Sequence, residues 1–327
     1  MSCDWPVRNL VQTQAPAGPT DILQSMPVDV EARVLSNTRL ASDYNVIALA
    51  APDIASASAP GQFVMVKLGR GSAPLLRRPF SVFEVLRTDG RITGLTLLSK
   101  RVGTTTEMLF EAEQGDVVSC LGPLGRPFQL LDPPAEAWMV AGGVGLAPFA
   151  TLAEALRDRG VSVTLFYGAR SDRELFYLDW FQSRGVRVVL ATEDGTAGDM
   201  GRVTIPLERE LLAAGGDRPP LDRPSASSSG SSGESSSGQL SERFSGQPSE
   251  RDIMIYACGP EPMLEAVAHL AARYSRPSQV SVERVMGCGL GGCYSCVIPV
   301  RDDRGGHRYV RSCIGGPVFA GDEIVWD

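Results

Sequence analysis

Near the C-terminus four cysteines, Cys288, Cys293, Cys296 and Cys313, follow a C-x4-C-x2-C spacing, with the fourth thiol on a later segment. This is the plant-type arrangement for a 2Fe–2S cluster, which takes four thiolates and no other protein ligand. Gly289, Gly291 and Gly292 let the backbone wrap closely and aim N–H groups at sulfur. The fourth ligand is expected after a hairpin, Val297–Val300 with Arg308–Arg311, turning through residues 303–306. Two disulfides or a four-thiolate zinc ribbon are the other structures this spacing allows. Ribbons usually carry two C-x2-C pairs and this chain has one, which favours iron and sulfur.

Bulk properties restrict the remaining classes. A chain of 327 residues has room for two or three domains, each with its own core. A net charge of −7 argues against nucleic acid as the main partner. The longest apolar run, Ala137–Ala150, is short for a membrane span and is interrupted by three glycines. No basic segment leads into an apolar block at the N-terminus, so no export signal is expected. Seven cysteines in such a chain point to a reducing compartment, the cytoplasm, where clustered thiols more often hold metal. With only His269 and His307 present, a histidine-rich metal site is not expected.

The rhythm of the sequence changes twice. Residues 1–27 lack a steady period and are expected to be loosely ordered. Over 28–131, six short β-rich runs separated by Gly and Pro predict a closed antiparallel barrel. They are Val28–Asn37, Tyr44–Ala50, Gln62–Leu68, Phe80–Arg87, Gly94–Ser99 and Asp116–Leu121. One helix is expected among them, with Thr104–Glu107 as a capping box ahead of Met108–Ala112. From 135 to 283, strands alternate with helical segments such as 147–159, 172–183 and 262–274, which predicts parallel βαβ units. A Ser/Gly-rich tract at 219–250 carries too little apolar surface to order itself and is expected to be a flexible insertion. Residues 284–327 complete the chain as a small cluster-binding segment.

Several motifs suit phosphate and ring recognition. Arg78-Pro79-Phe80-Ser81 offers a guanidinium fork, a hydroxyl and an aromatic ring beside a fixed proline. The helix start at Thr104–Thr106 supplies free N–H groups, so both segments can clamp one pyrophosphate. Gly142-Gly143-Val144-Gly145 follows a strand and opens a helix, the context of a dinucleotide loop, although Pro148 stands where a third glycine would. Cys258-Gly259-Pro260 and Glu193-Asp194-Gly195 end other strands at the same sheet edge, with turn chemistry as the alternative explanation. Arg170 and Arg173 are candidates for meeting a 2′-phosphate. No general base or nucleophilic dyad stands out, so no catalytic residue is assigned.

Together these segments resemble the electron-transfer subunits of class B dihydroorotate dehydrogenases, which are ferredoxin-reductase-like flavoproteins. The resemblance runs from about Val28 to Asp327, with the Ser-rich tract as an insertion, and is most specific from Met286 through Phe319. It implies an FAD-binding β-barrel, a parallel-sheet NAD-binding domain and a C-terminal 2Fe–2S segment. FAD is expected at Arg78, Pro79, Phe80 and Ser81, at Leu98, Ser99 and Lys100, and at Thr105 and Thr106. Thr105 stands where the family has glycine, and its side chain is expected to displace the cofactor phosphates slightly. NAD is expected at Gly142, Gly143, Gly145, Cys258, Gly259 and Pro260, with Cys258 packed beside the nicotinamide rather than acting as a nucleophile. The implied partner is an FMN-containing catalytic subunit, in a heterotetramer with two of each chain. A stand-alone NAD(P)H reductase and a zinc-stabilised binding module are the competing readings.

Overall fold

The computed structural model describes residues 26–69, 74–133, 135–215 and 253–326. The expected N-terminal extension up to residue 25 and the Ser-rich insertion lie outside the described residues.

Seven strands of the first half form one antiparallel sheet. They are β1 (Val28–Arg39), β2 (Tyr44–Ala50), β3 (Phe63–Leu68), β4 (Arg78–Ser81), β5 (Glu84–Thr88), β6 (Arg91–Lys100) and β7 (Val117–Leu124), in the order β4-β3-β7-β1-β2-β6-β5. The expected strand Phe80–Arg87 is divided at Val82 and Phe83, and the division curls the sheet. The Val82 N–H donates to the Gln62 carbonyl beside β3, whereas the Phe83 N–H donates to the Thr96 carbonyl of β6. One continuous segment thus bonds to both sides of the sheet and curls it into a half-barrel, but among the described residues the edge strands β4 and β5 do not pair, so the expected closed barrel is left open. Ile47, Leu49, Val64, Leu95, Leu97 and Val118 fill the interior with essentially no exposure. Each such side chain contributes roughly 1.5–3 kcal/mol by leaving water.

Two helices of this half differ from the sequence expectation. A short helix, Pro52–Ala57, was not anticipated; six residues are too few to show a period, although Pro52 suits the first turn. The second helix runs Thr104–Glu111 and is capped one residue earlier than expected. Gly103 is its N-cap, and Thr106 Oγ1 accepts from the Gly103 N–H at 3.0 Å, so half of the expected box is made by a different residue pair. Its C-terminal carbonyls are satisfied by Asn37, whose Nδ2 donates to Leu109 at 2.9 Å and Ala112 at 2.9 Å. Asn37 Oδ1 in turn accepts from buried Asn45 at 2.7 Å, which locks this helix to β1 and β2.

The second sheet contains β8 (Glu136–Gly142), β9 (Ser162–Ala169), β10 (Arg187–Thr192), β11 (Asp199–Met200), β12 (Ile253–Cys258) and β13 (Ser278–Ser281). All are parallel, in the order β11-β10-β9-β8-β12-β13. The order reverses between β8 and β12, the crevice where open α/β sheets bind ligands. The expected helix 172–183 is interrupted: a turn at Asp172–Glu174 is followed by a helix at Leu178–Ser183. The cause is tertiary packing. Phe176 meets Tyr44 at 4.9 Å between ring centroids, and Tyr177, at a φ of 61°, meets Phe83 at 4.7 Å. These contacts tie the barrel to the parallel sheet, and Val46, Phe83 and Leu98 share one core with Ala141, Leu146 and Phe149.

The last segment is stitched to both halves. Its hairpin, β14 (Val297–Arg301) with β15 (His307–Arg311), sends Ile298 and Val300 into the core of the parallel sheet. The final strand, β16 (Val318–Ala320), pairs antiparallel with β13. Met286, Cys296 and Cys313 pack on Phe63, Met65, Leu121 and Leu124 of the barrel.

Candidate functional site

The hairpin register assembles the cysteine pocket. Val297 pairs with Arg311, and the Ser312 N–H donates to the Cys296 carbonyl at 2.9 Å, so Cys313 follows directly beside Cys296. These two thiols are buried, each 2% exposed, and lie within hydrogen-bonding reach of each other. Cys288 and Cys293 form the second close pair on the outer side, and Cys288 also lies near Cys313. Among the described residues no three ligating groups crowd one point as a single metal ion requires. Two pairs of thiols suit a binuclear cluster, in which each iron takes two.

The surroundings fit such a group. The N–H groups of Leu290 and Gly292 point at Cys288 Sγ from 3.4 and 3.3 Å. Ser295 Oγ lies 3.2 Å from Cys293 Sγ, and its hydrogen bonding pulls that thiol down to about 6. Cys313 is pushed up to about 12, mainly by burial, so an uncompensated thiolate there is costly and a cation beside it would relieve the cost. Gly291 has a φ of 79°, and a Cβ on it would overlap the Ile314 side chain, so no other residue fits this turn without rearrangement.

Across β3 from that pocket lies the Arg78–Ser81 segment. Strand β4 pairs with β3 through Val66↔Arg78, Met65↔Pro79, Val64↔Phe80 and Phe63↔Ser81. Pro79 is tolerated because β4 is the sheet's edge. The exposed Arg78 guanidinium donates only to the Arg77 carbonyl, at 3.3 Å, and carries no ion pair among the described residues. On β6, Leu98 is a core side chain, whereas Ser99 Oγ is buried without a hydrogen-bond partner among the described residues. A buried hydroxyl of this kind calls for a further partner. Thr105 is 5% exposed and shares the inward helix face with Leu109. Its side chain is thus engaged in packing on that face.

Lys100 belongs to a different neighbourhood. Its Nζ donates to Tyr44 Oη at 2.8 Å and lies 3.8 Å from Glu174 and 3.9 Å from Asp43. Tyr44 and Lys100 thereby form the barrel-side wall of a cleft of about 470 Å³ above the strand-order reversal. Gly142, Gly143 and Pro260 line it from the parallel sheet. Gly145, Cys258 and Gly259 lie beneath, because a Cβ on Gly145 would overlap the Cys258 carbonyl and approach Gly259 Cα to 2.7 Å. Cys258 is buried, its thiol pushed up by desolvation, and its carbonyl packs against Gly145 under the loops. Arg170 is ion-paired with Glu174, and Arg173 does not reach the wall. Glu174, Arg202 and Glu283 line the cleft without having belonged to any sequence motif. Glu283 is exposed on the concave wall, where desolvation by the surrounding residues raises its carboxyl above the usual range.

A barrel joined to a parallel sheet, with a cleft between them and a cysteine pocket beside the barrel, defines a ferredoxin-reductase-like oxidoreductase. An NADH-dependent reduced ferredoxin-NADP oxidoreductase superposes with a TM-score of 0.69 at 25% identity, covering 91% of this chain and 90% of that one. A ferredoxin NADP+ reductase from Neisseria gonorrhoeae shares the fold, with a TM-score of 0.52 at 20% identity over 75% of this chain and 90% of its own. Residues 139–269 match the oxidoreductase NAD-binding domain, and residues 283–325 match the iron–sulfur cluster binding domain of dihydroorotate dehydrogenase B. The electron transfer subunit of dihydroorotate dehydrogenase B (NAD(+)) from Desulforamulus reducens is 33% identical over 91% of this chain and 98% of its own length. The corresponding subunit from Geobacillus kaustophilus is 36% identical over 81% of this chain and 86% of its own. The chain belongs to this family of electron transfer subunits. That membership sets aside the zinc-stabilised module and the stand-alone reductase.

Proposed function

We propose that this chain connects an FMN-containing dihydroorotate dehydrogenase subunit to NAD+, holding a 2Fe–2S cluster at Cys288, Cys293, Cys296 and Cys313 and FAD along β4 and β6. When bound, the cluster handles single electrons and the flavin gathers a pair for delivery as hydride. The observation that carries this reading is the shared strand β3. Met65 pairs with Pro79 on one side, and on the other it contacts the cysteine loop, where a Cβ on Gly289 would come within 2.6 Å of Met65 Cγ. Flavin segment and cysteine pocket are thus separated by a single strand. Arg78 and the start of the Thr104–Glu111 helix hold the flavin phosphates, and Ser81 and Ser99 supply hydroxyls. Gly142, Gly143 and Pro260 form the floor of the dinucleotide cleft, with Gly145, Cys258 and Gly259 fixing the two loops against each other. Two copies of each subunit form the enzyme, in the cytoplasm. Among the described residues no helix is long and apolar enough to cross a membrane.

Purified alone, the chain is expected to pass electrons from NADH to a dye without oxidising dihydroorotate. Adding the catalytic subunit from the same organism should create dihydroorotate-dependent NAD+ reduction; dihydroorotate oxidation by the isolated chain would overturn the assignment. For the flavin clamp, Arg78→Ala removes a charge-assisted hydrogen bond of about 1.5–3 kcal/mol and should weaken FAD binding roughly tenfold or more. A titration of the apoprotein that gives wild-type affinity would show Arg78 to be misassigned. Thr105→Gly should lower stability by about 1 kcal/mol, because it removes a buried side chain and adds backbone freedom to a helix. Flavin affinity should stay within about threefold for a change of that size. Unchanged melting with altered flavin binding would reverse this view of Thr105.

A further inference from the structure

Three cations line the dinucleotide cleft among the described residues: Lys100, Arg170 and Arg202. Lys100 is engaged by Tyr44, Glu174 and Asp43, and Arg170 by Glu174. Arg202 has neither a side-chain hydrogen bond nor an ion pair among the described residues, and its side chain is exposed. Three carboxylates, Glu174, Glu193 and Glu283, share the same walls. An anionic ligand entering this cleft therefore meets one cation that is not already neutralised.

The backbone beneath Arg202 is held firmly. The Gly201 N–H donates to the Thr192 carbonyl at 2.8 Å, and Thr192 Oγ1 exchanges hydrogen bonds with Ala197, both at 2.9 Å. Arg209 clamps Asp199 through both carboxylate oxygens, at 2.7 and 2.9 Å. Next along the chain, Val203 packs onto Gly168, where an added Cβ would lie 2.8 Å from Val203 Cβ. Gly168 is the register partner of Gly142. Arg202 and Thr204 consequently stand beside the glycine loop, although β11 lies three strands away from β8 in the sheet.

We propose that Arg202 recognises the pyrophosphate of the nicotinamide dinucleotide, with the Thr204 hydroxyl beside it. The inference rests on the dinucleotide reading of the cleft. Position selects the pyrophosphate over a 2′-phosphate: the glycine loop is where a doubly wound sheet places the pyrophosphate. The end of β10 carries Glu193, which repels a phosphate on the adenosine ribose. A guanidinium on a fixed base makes two parallel bonds to phosphate oxygens, whereas lysine supplies only a point charge.

The test compares Arg202→Ala and Arg202→Lys with wild type in the full-length, cofactor-loaded chain. Calorimetric titration with ADP-ribose, adenosine and 2′,5′-ADP is followed by NADH–dye kinetics. Arg202→Ala should bind ADP-ribose about tenfold or more weakly, as expected for a lost charge-assisted bond. Adenosine binding should stay within about twofold, since adenosine carries no phosphate to lose. Arg202→Lys should recover part of the loss, and the KM for NADH should rise while kcat holds. Unchanged ADP-ribose affinity, a loss confined to 2′,5′-ADP, or an equal loss for adenosine would each overturn the proposal. Wild-type protein that binds none of the dinucleotide fragments would sink the cleft reading itself; normal wild-type binding with an unaffected variant would sink only the role of Arg202.

Discussion

Cys293→Ser will remove dihydroorotate-dependent NAD+ reduction while leaving most NADH–dye activity in place. Cys293 is the exposed member of the four, so its replacement disturbs no packed core. The loss can therefore be attributed to the cluster rather than to folding. Cys296 is a poorer probe, because serine there would bury a hydroxyl among Phe63, Met65 and Leu124 and cost about 1–3 kcal/mol by itself. The coupled rate should fall at least as far as the roughly 10–100-fold seen when only the hydrogen-bond partners of a metal's ligands are changed. Visible absorption beyond the flavin bands and the EPR signal of the reduced protein should disappear together. Cys120→Ser is the control. Cys120 is buried inside the barrel and shares no core with the cysteine pocket, so it should lower the melting temperature and leave the EPR signal intact. Coupled turnover that survives complete loss of the EPR signal would disprove the electron path through this pocket.

The parts readable in advance were those whose chemistry is local. Three of the four cysteines lie in one loop, and the fourth needs only a hairpin of matched length, which Val297–Arg301 and His307–Arg311 provide. The glycine loop and the Arg78–Ser81 strand are likewise contiguous strings. The parts missed depend on contacts between residues far apart in sequence. The break in the expected helix 172–183 is set by Tyr44 and Phe83, which belong to the other sheet. No pattern within twelve residues reveals that Phe176 and Tyr177 must turn toward a barrel. The cleft walls show the same limit. Tyr44, Glu174, Arg202 and Glu283 come from four separate segments and meet only after both sheets have packed. Arg170, whose place after a strand suggested phosphate recognition, lines the cleft ion-paired with Glu174, a pairing the strand pattern does not reveal. Thr105 stands where the family has glycine, and only the folded chain shows that its side chain is buried on the helix face it shares with Leu109.

Gly145→Ala should be the most damaging single methyl in the dinucleotide cleft. A Cβ at this position would overlap the Cys258 carbonyl oxygen and come within 2.7 Å of Gly259 Cα. All of these are main-chain atoms at the end of β12, so no side-chain rotation relieves the clash. The loop after β8 and the turn after β12 must move apart, and they are the two edges of the crevice at the strand-order reversal. Overpacking of this kind costs about 1–3 kcal/mol, which for a domain of this size lowers the melting temperature by roughly 2–10 °C. The functional cost is expected to be larger. Gly142, Gly143 and Pro260 form the floor of the cleft only while the loops interlock, so the KM for NADH should rise by about tenfold or more, equivalent to at least ~1.4 kcal/mol of lost binding. Gly143→Ala separates space from backbone conformation. Its Cβ would meet only Tyr44 Oη, at 3.7 Å, but its φ of 54° lies in the left-handed region, so the expected cost is about 1–2 kcal/mol without separation of the loops. Flavin and cluster absorbance should be normal in both variants, because neither added Cβ meets β3, β4 or a cysteine of the pocket. A Gly145→Ala protein that melts and binds NADH like wild type would mean that the two loops are not held together in solution, and the floor assigned to the cleft would have to be redrawn.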